Sequence, residues 1–588
     1  MKILIVGGGG REHALAWKIA KSPEVEQIFC APGNAGIAEV ADCVDISAGS
    51  TDKLAAFAAE NRIDMTVVGP EAPLSAGIVD TFQAAGLRVF GPTAAAAAIE
   101  ASKSYAKQLM EKYNIPTARG HSCSDFDRAC RYIDTAGPPV VVKADGLAAG
   151  KGVSVCHTRE QTLDALKRMM VDNEFGDAGK TVVVEECLQG EEASFLAFTD
   201  GKTVVPLPSS QDHKTVYDGD KGPNTGGMGA YSPAPVVDAV MRKKVMDQVM
   251  QPMVDALAAE GRPYKGVLYA GLMINKDSVR VVEFNCRFGD PEAQPLLMRM
   301  KSDIVPIMKA VIDGGLENQR IEIDPRPAVC VVMAAKGYPG SYAKGKEIQG
   351  LGNVARMKDV AVFHAGTKRE NNAVVTSGGR VLGVTALGSD IKKAISRAYE
   401  AAGKITWEGA HHRTDIGKKA QDRLAVPPAV GIIMGSDSDL PVMTAAAEQL
   451  KRFDIPYEMT VASAHRTPER AAEFAASAPA RGIKVIIAGA GHAAHLGGVL
   501  AAHTTLPILG VPIDSSALSG FDALLSTVQM PPGVPVATMA VGKPGARNAA
   551  VFAAQMLALS DPEMAKRLEA FKADMAEEVN KKARSLDG

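Results

Sequence analysis

The sequence predicts an α/β fold built as two separate strand systems, and three observations predict it. Short apolar runs ending in glycine, at 2–6, 65–68 and 87–90, alternate with alanine-rich segments of helical length, the rhythm of a layered strand and helix arrangement. From Lys103 onward the pattern changes to mixed strands and helices, with strand-like runs at 140–143, 181–184, 267–274 and 279–284. Then the charged helical tail GKKAQDRLAVPP runs into Pro427 and Pro428, and a fresh strand starts at Val430. A proline pair cannot continue a helix, so this is a seam.

In chain order, residues 1–100 form a first layered domain and 101–325 a larger mixed body. Residues 326–420 open with the strand AVCVVMAA, contain VVTSGGRVLGVTALG and read as a compact cap. Residues 421–428 are a linker, and 429–588 hold a second parallel strand system with apolar runs at 485–488, 508–511 and 536–540. The run Ala94 to Ala98 is the start of a helix.

At 588 residues each domain has room for its own core. A formal net charge of −2 gives no broad basic field, so nucleic acid is not an expected partner and small molecules are. Eight cysteines, all between Cys30 and Cys330 and without a C-x-x-C pair, suit a reducing compartment and argue against a zinc site or a disulfide framework. The amino-terminal apolar run Ile3 to Val6 is too short for a signal sequence, and the stretch 485–502 carries His492, His495 and several glycines, which argues against a membrane span. A cytoplasmic protein is expected.

The most informative string is VVEFNCRFGDPEAQPLLMRM at 281–300. Glu283 and Asn285 are two apart, and in a strand that spacing puts both oxygen-bearing side chains on one face. A carboxylate beside an amide carbonyl suits Mg²⁺, which takes one or two protein carboxylates plus substrate phosphates. Arg287, Gly289 and Asp290 follow, a combination suited to a small zwitterion: Arg287 to grip a carboxylate, Asp290 to hold an ammonium, Gly289 to let the backbone approach. An isolated E-x-N would more often be a buried strand before a polar turn.

Upstream, Lys143 ends an apolar strand and a small-residue loop, Gly146 to Gly152, carries Lys151, so backbone donors and a lysine charge could cover phosphates. It is not a P-loop: the spacing is one residue short, and Gly152 stands where Ser or Thr would bind the metal. Glu185 and Glu186 end another strand, a position where glutamates are usually solvated. The loop Gly7 to Gly10 follows the first strand and could face a phosphate. A dinucleotide site there would need an acidic residue about twenty positions on, where the chain reads IFCAPG.

Together with GGGGREHAL at 7–15, VVKADGLAAGKGV at 141–153 and QDHKTVYDGDKGPNTGGMGAYSPAP at 211–235, these strings closely resemble the phosphoribosylamine-glycine ligase family of purine synthesis, over residues 1 to about 420. The resemblance implies an ATP-grasp fold with a Rossmann-like amino-terminal domain and a carboxyl-terminal cap. It implies phosphate-binding lysines at Lys103, Lys143 and Lys151, and an adenine hinge at Glu185, Glu186 and Leu188 with Glu192 on the ribose. It further implies substrate contacts at Asp212, His213, Lys214, Asn224, Thr225, Gly226 and Gly289, catalytic roles for Arg287 and Asp290, and Mg²⁺ or Mn²⁺ at Glu283 and Asn285. ATP would activate the carboxylate of glycine for attack by phosphoribosylamine.

Beyond the seam the strings are MGSDSD at 434–439, SAHRTP at 463–468, GAGHAAHLGG at 489–498 and LSTVQMPPGVPVATMAVGKPGARNAA from 525. Each polar group follows an apolar strand, so one pocket at the ligand edge of a parallel sheet is expected. Ser436 and Asp439 can bind phosphate and ribose hydroxyls, Arg466 suits phosphate, and His465 offers an imidazole, the side chain type suited to proton transfer near neutral pH. These strings resemble the 5-(carboxyamino)imidazole ribonucleotide mutase family, which implies a flavodoxin-like three-layer αβα fold and His465 as proton shuttle. It also implies substrate positioning by His495, Ser463 within the same pocket, no cofactor, and assembly as octamers. His492 departs from the family pattern, where glycine is usual. The alternatives are the related carboxylase using free CO₂, a non-catalytic nucleotide-binding regulator, and a nicotinamide oxidoreductase built on the first glycine loop.

Overall fold

The structure, a computed structural model, describes every residue except 149–151, 276–277, 425–426 and 585–588, with backbone alone at 239–240. It divides into two compact units, Met1–Leu424 and Ala425–Gly588.

The first unit begins with a five-stranded parallel sheet, in the order Asp42–Cys43, Gln27–Pro32, Lys2–Gly7, Met65–Val68, Val89–Phe90. Ile3, Leu4, Ile5 and Val6 are all fully buried, as expected of a central parallel strand covered on both faces. The apolar run at 87–90 contributes only Val89–Phe90 as strand, because the Leu87 N–H still belongs to the end of the preceding helix, donating to Phe82 O at 2.8 Å. Helix Gly10–Ile19 leaves the glycine loop at the sheet's ligand edge.

Two antiparallel sheets form the body. The smaller contains Gly120–Cys123, Val182–Glu186, Val140–Ala144 and Val153–Cys156; the larger contains Val204–Pro206, Glu191–Asp200, Lys265–Asn275 and Ser278–Asn285. In the larger sheet one irregularity decides the site. Leu272 pairs with Val281 and Gly271 with Glu283, leaving Val282 as an extra residue. Without that bulge, Val279, Val281, Glu283 and Asn285 would share one face and the carboxylate would enter the apolar core. With it, Val279, Val281 and Phe284 face the core, and Glu283 and Asn285 face the other way.

The sheet of the cap takes in a strand from outside residues 326–420. Its strand Ala328–Ala335 pairs with Arg380–Leu387 on one side and with Gly229–Ser232 on the other. Gly229–Ser232 in turn pairs with Gln211–Asp212, so the polar string at 211–232 is hydrogen-bonded into the cap sheet. The expected linker at 421–428 also needs correction: helix Lys418–Leu424 covers its first half, and Arg423 is ion-paired with Glu191.

The second unit is a five-stranded parallel sheet in the order Tyr457–Val461, Val430–Met434, Val485–Gly491, Ile508–Ile513, Ala537–Thr538. That is order 2-1-3-4-5, the flavodoxin-like winding. Helices Leu440–Arg452 and Lys543–Ala558 bury their alanine-rich faces against one side of the sheet, and Pro468–Ser477 and Leu496–His503 against the other. The run at 536–540 yields only Ala537–Thr538 as strand.

Candidate active sites

In the larger sheet of the body, register aligns the site residues on one face. Ser194 pairs with Gly271 and Gly271 with Glu283, while Tyr269 pairs with Asn285 and Glu192 with Met273. Directly opposite residues of antiparallel strands project to the same side, so Glu192, Ser194, Tyr269, Glu283 and Asn285 share a surface, with Gly271 leaving an open floor between Ser194 and Glu283. A cavity over this face is lined by Glu192, Ser194, Asp212, Lys214, Tyr269 and Val282.

Lysines converge on the same place. Lys143 Nζ donates to Val282 O (2.9 Å) and lies 2.6 Å from Glu185; Lys103 Nζ donates to Gly146 O (3.0 Å); Lys214 Nζ lies 3.0 Å from Glu192 and 3.8 Å from Glu283. Burial alone would raise the Glu283 carboxyl, but the charges of Lys214, Lys143 and Lys103 outweigh it and hold it below its usual range. An ionised carboxylate and an amide oxygen on one face fit a hard dication completed by phosphate oxygens. Among the described residues no group of three or more His, Cys, Asp or Glu side chains forms a full protein cage for a metal.

Several expected residues do other work. The Glu185 carboxylate is buried between Lys143 (2.6 Å) and Lys107 (2.8 Å), so its side chain holds Lys143 in place near the end of the strand Val182–Glu186. Glu186 accepts from Arg119 N (2.8 Å) and Arg280 Nη1 (2.7 Å) at the surface, and Leu188 is half-buried after the strand. His213 does not face the cleft. It is 1% exposed, packs on Tyr231, sits 3.2 Å from Gly229 O through Nδ1, and is held neutral by burial, which pushes it down to about 4. Period-2 alternation turns Asp212 and Lys214 inward and His213 outward. The Thr225 hydroxyl is consumed by Lys214 O (2.8 Å) and Gly227 N (2.9 Å), which fixes the loop, and Asn224 is exposed. Lys151 lies outside the described residues.

Arg287 and Asp290, expected to hold a zwitterion, both have partners within the chain. Arg287 is already occupied by Glu71 (3.1 Å), Glu100 (3.0 Å), Asn285 Oδ1 (3.2 Å) and Phe288 O (3.3 Å). It therefore orients the Asn285 amide and ties it to the amino-terminal domain. Asp290 is matched by Arg380 (3.2 Å) and by Gln294 Nε2 (2.9 Å), and Arg380 also donates to Gly226 O, Gly227 O and Asp290 O. Gly289 is needed for space, since a Cβ there would lie 2.4 Å from Glu292 Oε2. Lys107, Ser194, Tyr269, Glu292 and Arg380 were not singled out from sequence. Arg380, directly after the paired glycines of VVTSGGR, carried a signal of sorts, whereas Ser194 and Tyr269 lie inside apolar runs and carried none.

In the second unit Ser436, Ser463, His465 and His495 all follow strand ends at the carboxyl edge of the sheet. Ser436 N donates to Asp439 Oδ2 (3.1 Å), and burial raises the Asp439 carboxyl. His465 Nε2 and His495 Nδ1 are 2.9 Å apart with rings nearly perpendicular, so one nitrogen carries the proton that the other accepts. Arg466, next to His465, is exposed. His492 takes a left-handed backbone, φ 54°, with Nδ1 3.3 Å from Ser515 Oγ, a conformation glycine adopts without strain.

Comparison with known proteins matches residues 1–100, 101–293 and 328–419 to the N, ATP-grasp (A) and C domains of phosphoribosylglycinamide synthetase, and 429–578 to AIR carboxylase. The phosphoribosylamine–glycine ligase of Rhodopirellula baltica is 53% identical over 425 residues, 71% of this chain and 97% of that protein. The crystal structure of the Thermotoga maritima phosphoribosylamine–glycine ligase superposes with a TM-score of 0.63 at 33% identity, covering 71% of this chain and all of that one. A biotin carboxylase from Campylobacter jejuni shares the fold alone, with a TM-score of 0.55 at 17% identity over 72% of this chain and 95% of that one. The chain therefore belongs to the phosphoribosylglycinamide synthetase family, here fused to a carboxyl-terminal domain of the AIR carboxylase family.

Proposed function

We propose that the chain catalyses two reactions of purine synthesis: ATP-dependent joining of glycine to phosphoribosylamine, giving glycinamide ribonucleotide, and conversion of 5-(carboxyamino)imidazole ribonucleotide to 4-carboxy-5-aminoimidazole ribonucleotide. The observation that carries the first is the shared sheet face of Glu283 and Asn285 beneath Lys103, Lys143 and Lys214.

A carboxylate does not acylate an amine unaided, so the glycine carboxylate attacks the γ-phosphate of ATP and the resulting acyl phosphate is captured by the amine. Lys143 and Lys103, held by Val282 O and Gly146 O, place positive charge along the triphosphate, and the transfer is governed by positioning and charge. Glu192 is set to read the ribose from the same face. Mg²⁺ or Mn²⁺ at Glu283 and Asn285 would neutralise charge on the transferring phosphoryl group.

In the second unit, the His465–His495 pair supports a reaction in which a proton moves between ring carbon and exocyclic nitrogen, without ATP or metal. Retention of SAHRTP together with GAG-x-AAHL favours the mutase over a carboxylase using free CO₂. The unit assembles as an octamer of a cytoplasmic enzyme acting on small molecules; among the described residues no helix is long and apolar enough to cross a membrane. Assay of the purified chain for both reactions, with and without ATP, tests the reading: product in the first only with ATP, and in the second regardless, is the expected result.

A further inference from the structure

We propose that Asp212 is the proton acceptor of the ligation step, taking a proton from the phosphoribosylamine nitrogen as the amide forms; this rests on the ligase reading above. In that step the N–C bond forms, the C–O bond to phosphate breaks, and phosphate leaves with the electron pair. The neutral amide carries one N–H proton fewer than the amine, so a base must receive it.

The groups lining the cavity narrow the choice. Glu192 is engaged by Lys214 at 3.0 Å, and Lys214 is a cation further stabilised by Glu283. The Tyr269 hydroxyl donates to Glu292 Oε1 (2.7 Å), and burial pushes its phenol well up, so it holds its own proton. Ser194 Oγ is committed to the same carboxylate at 3.0 Å. Asp212 differs: its Oδ1 accepts one hydrogen bond, from His213 N at 2.6 Å, and among the described residues it has no ion-pair partner within 4.0 Å.

Its position is rigid. The carboxylate lies against the Gly227 backbone, where φ is +108° and a Cβ would come within 2.7 Å of Oδ1 and 2.4 Å of Pro291 Cδ. Asp212 and Lys214 line the same cavity, and Lys214 lies 3.8 Å from the Glu283 carboxylate. The surrounding charges suit a base. Burial, then the nearby Glu292 carboxylate, raise the Asp212 carboxyl well above its ordinary range, against smaller opposing effects of Lys214, the His213 N–H and Arg380. A carboxylate with raised proton affinity is a more effective base at neutral pH than an ordinary one.

The experiment separates the two half-reactions in the full chain. Glycine-dependent scrambling of ¹⁸O between the β,γ-bridge and the β-nonbridging positions of ATP reports acyl phosphate formation. Amide formation with phosphoribosylamine, generated in situ from ribose 5-phosphate and ammonia, reports transfer. In wild type both proceed, and absence of both would remove the ligase reading itself. In Asp212→Asn the scrambling should persist within about threefold, which also shows a folded cleft, while amide formation falls about 10²- to 10⁴-fold and the acid limb of its pH profile disappears. Asp212→Glu should recover part of the rate and restore that limb. The proposal is overturned if scrambling and amide formation fall together with a raised KM for glycine, which would make Asp212 a holder of the glycine ammonium, or if amide formation keeps its rate and pH profile in Asp212→Asn.

Discussion

The two active sites are built on opposite principles. In the ligase unit nearly every charged side chain at the cleft is matched within the chain: Lys143 by Glu185, Arg287 by Glu71 and Glu100, Asp290 by Arg380. The partners come from the amino-terminal domain, the body and the cap, so three segments distant in sequence hold one geometry. In the carboxyl-terminal unit His465, Arg466, His492 and His495 sit exposed on loops at a sheet edge. Close by in sequence, the same unit leaves Leu518 and Phe521 63% and 61% exposed, with Leu525 and Val528 also at the surface. Preorganisation in the first case is internal; in the second, apolar side chains stay exposed beside the polar loops.

The largest effect that would break this comparison is on the ligase chemistry. Glu283→Ala or Lys143→Ala should lower glycinamide ribonucleotide formation at least about 10³-fold, because each removes charge that acts on the phosphoryl group, and should leave the second activity unchanged. Loss of both activities in either variant would mean that the sites are coupled. His465→Asn is the mirror experiment: the second activity should fall about 10²- to 10⁴-fold, since asparagine hydrogen-bonds but carries no proton at neutral pH, with ligation untouched and substrate binding preserved. Interconversion of the carboxylated nucleotides at the wild-type rate would remove His465 as the shuttle.

Acid should separate the units through their histidines. Burial pushes His13 down to about 3, aided by His364; burial pushes His364, aided by Arg369, and His213 to about 4. Unfolded histidines protonate near pH 6.5, so below that pH the unfolded ligase binds protons that the folded one refuses, and stability falls from pH 6.5 down to about 4 and then 3. The summed loss is on the order of several kcal/mol. His465, His492, His495 and His503, the histidines of the second unit, are all exposed. Both tryptophans, Trp17 and Trp407, lie in the ligase unit. Tryptophan fluorescence should therefore report unfolding at a higher pH than the loss of helical circular dichroism from the second unit; simultaneous transitions would contradict this.

The smallest expected effect is that of cutting the chain between Leu424 and Val430. The two units have separate sheets and separate cores, so both activities should stay within about twofold. Light scattering should find the ligase fragment monomeric or dimeric and the other fragment octameric. A large loss of either rate on separation would show dependence that the separate cores do not suggest.

Much was legible in the sequence because local chemistry sufficed. Val430–Met434 and Val485–Gly491 are continuous apolar runs of strand length, and the polar strings after them had to gather at one sheet edge whatever the loops did. Glu283 and Asn285 were legible as a pair because a spacing of two means one face in any strand. Which face was decided only in three dimensions, by the extra residue Val282, since periodicity alone would have continued Val279 and Val281 into Glu283. Lys107, Tyr269, Ser194 and Arg380 acquire their roles from partners 75 to 98 residues away or in another domain, and no local pattern encodes those distances. The sequence by itself determined the two strand systems, the seam and the kinds of chemistry at each strand end, because these depend on composition and short-range period. Only the tertiary structure decided that Arg287 and Asp290 are satisfied by the protein and that Asp212 has no direct ion pair among the described residues, because charge matching is a property of assembled neighbours.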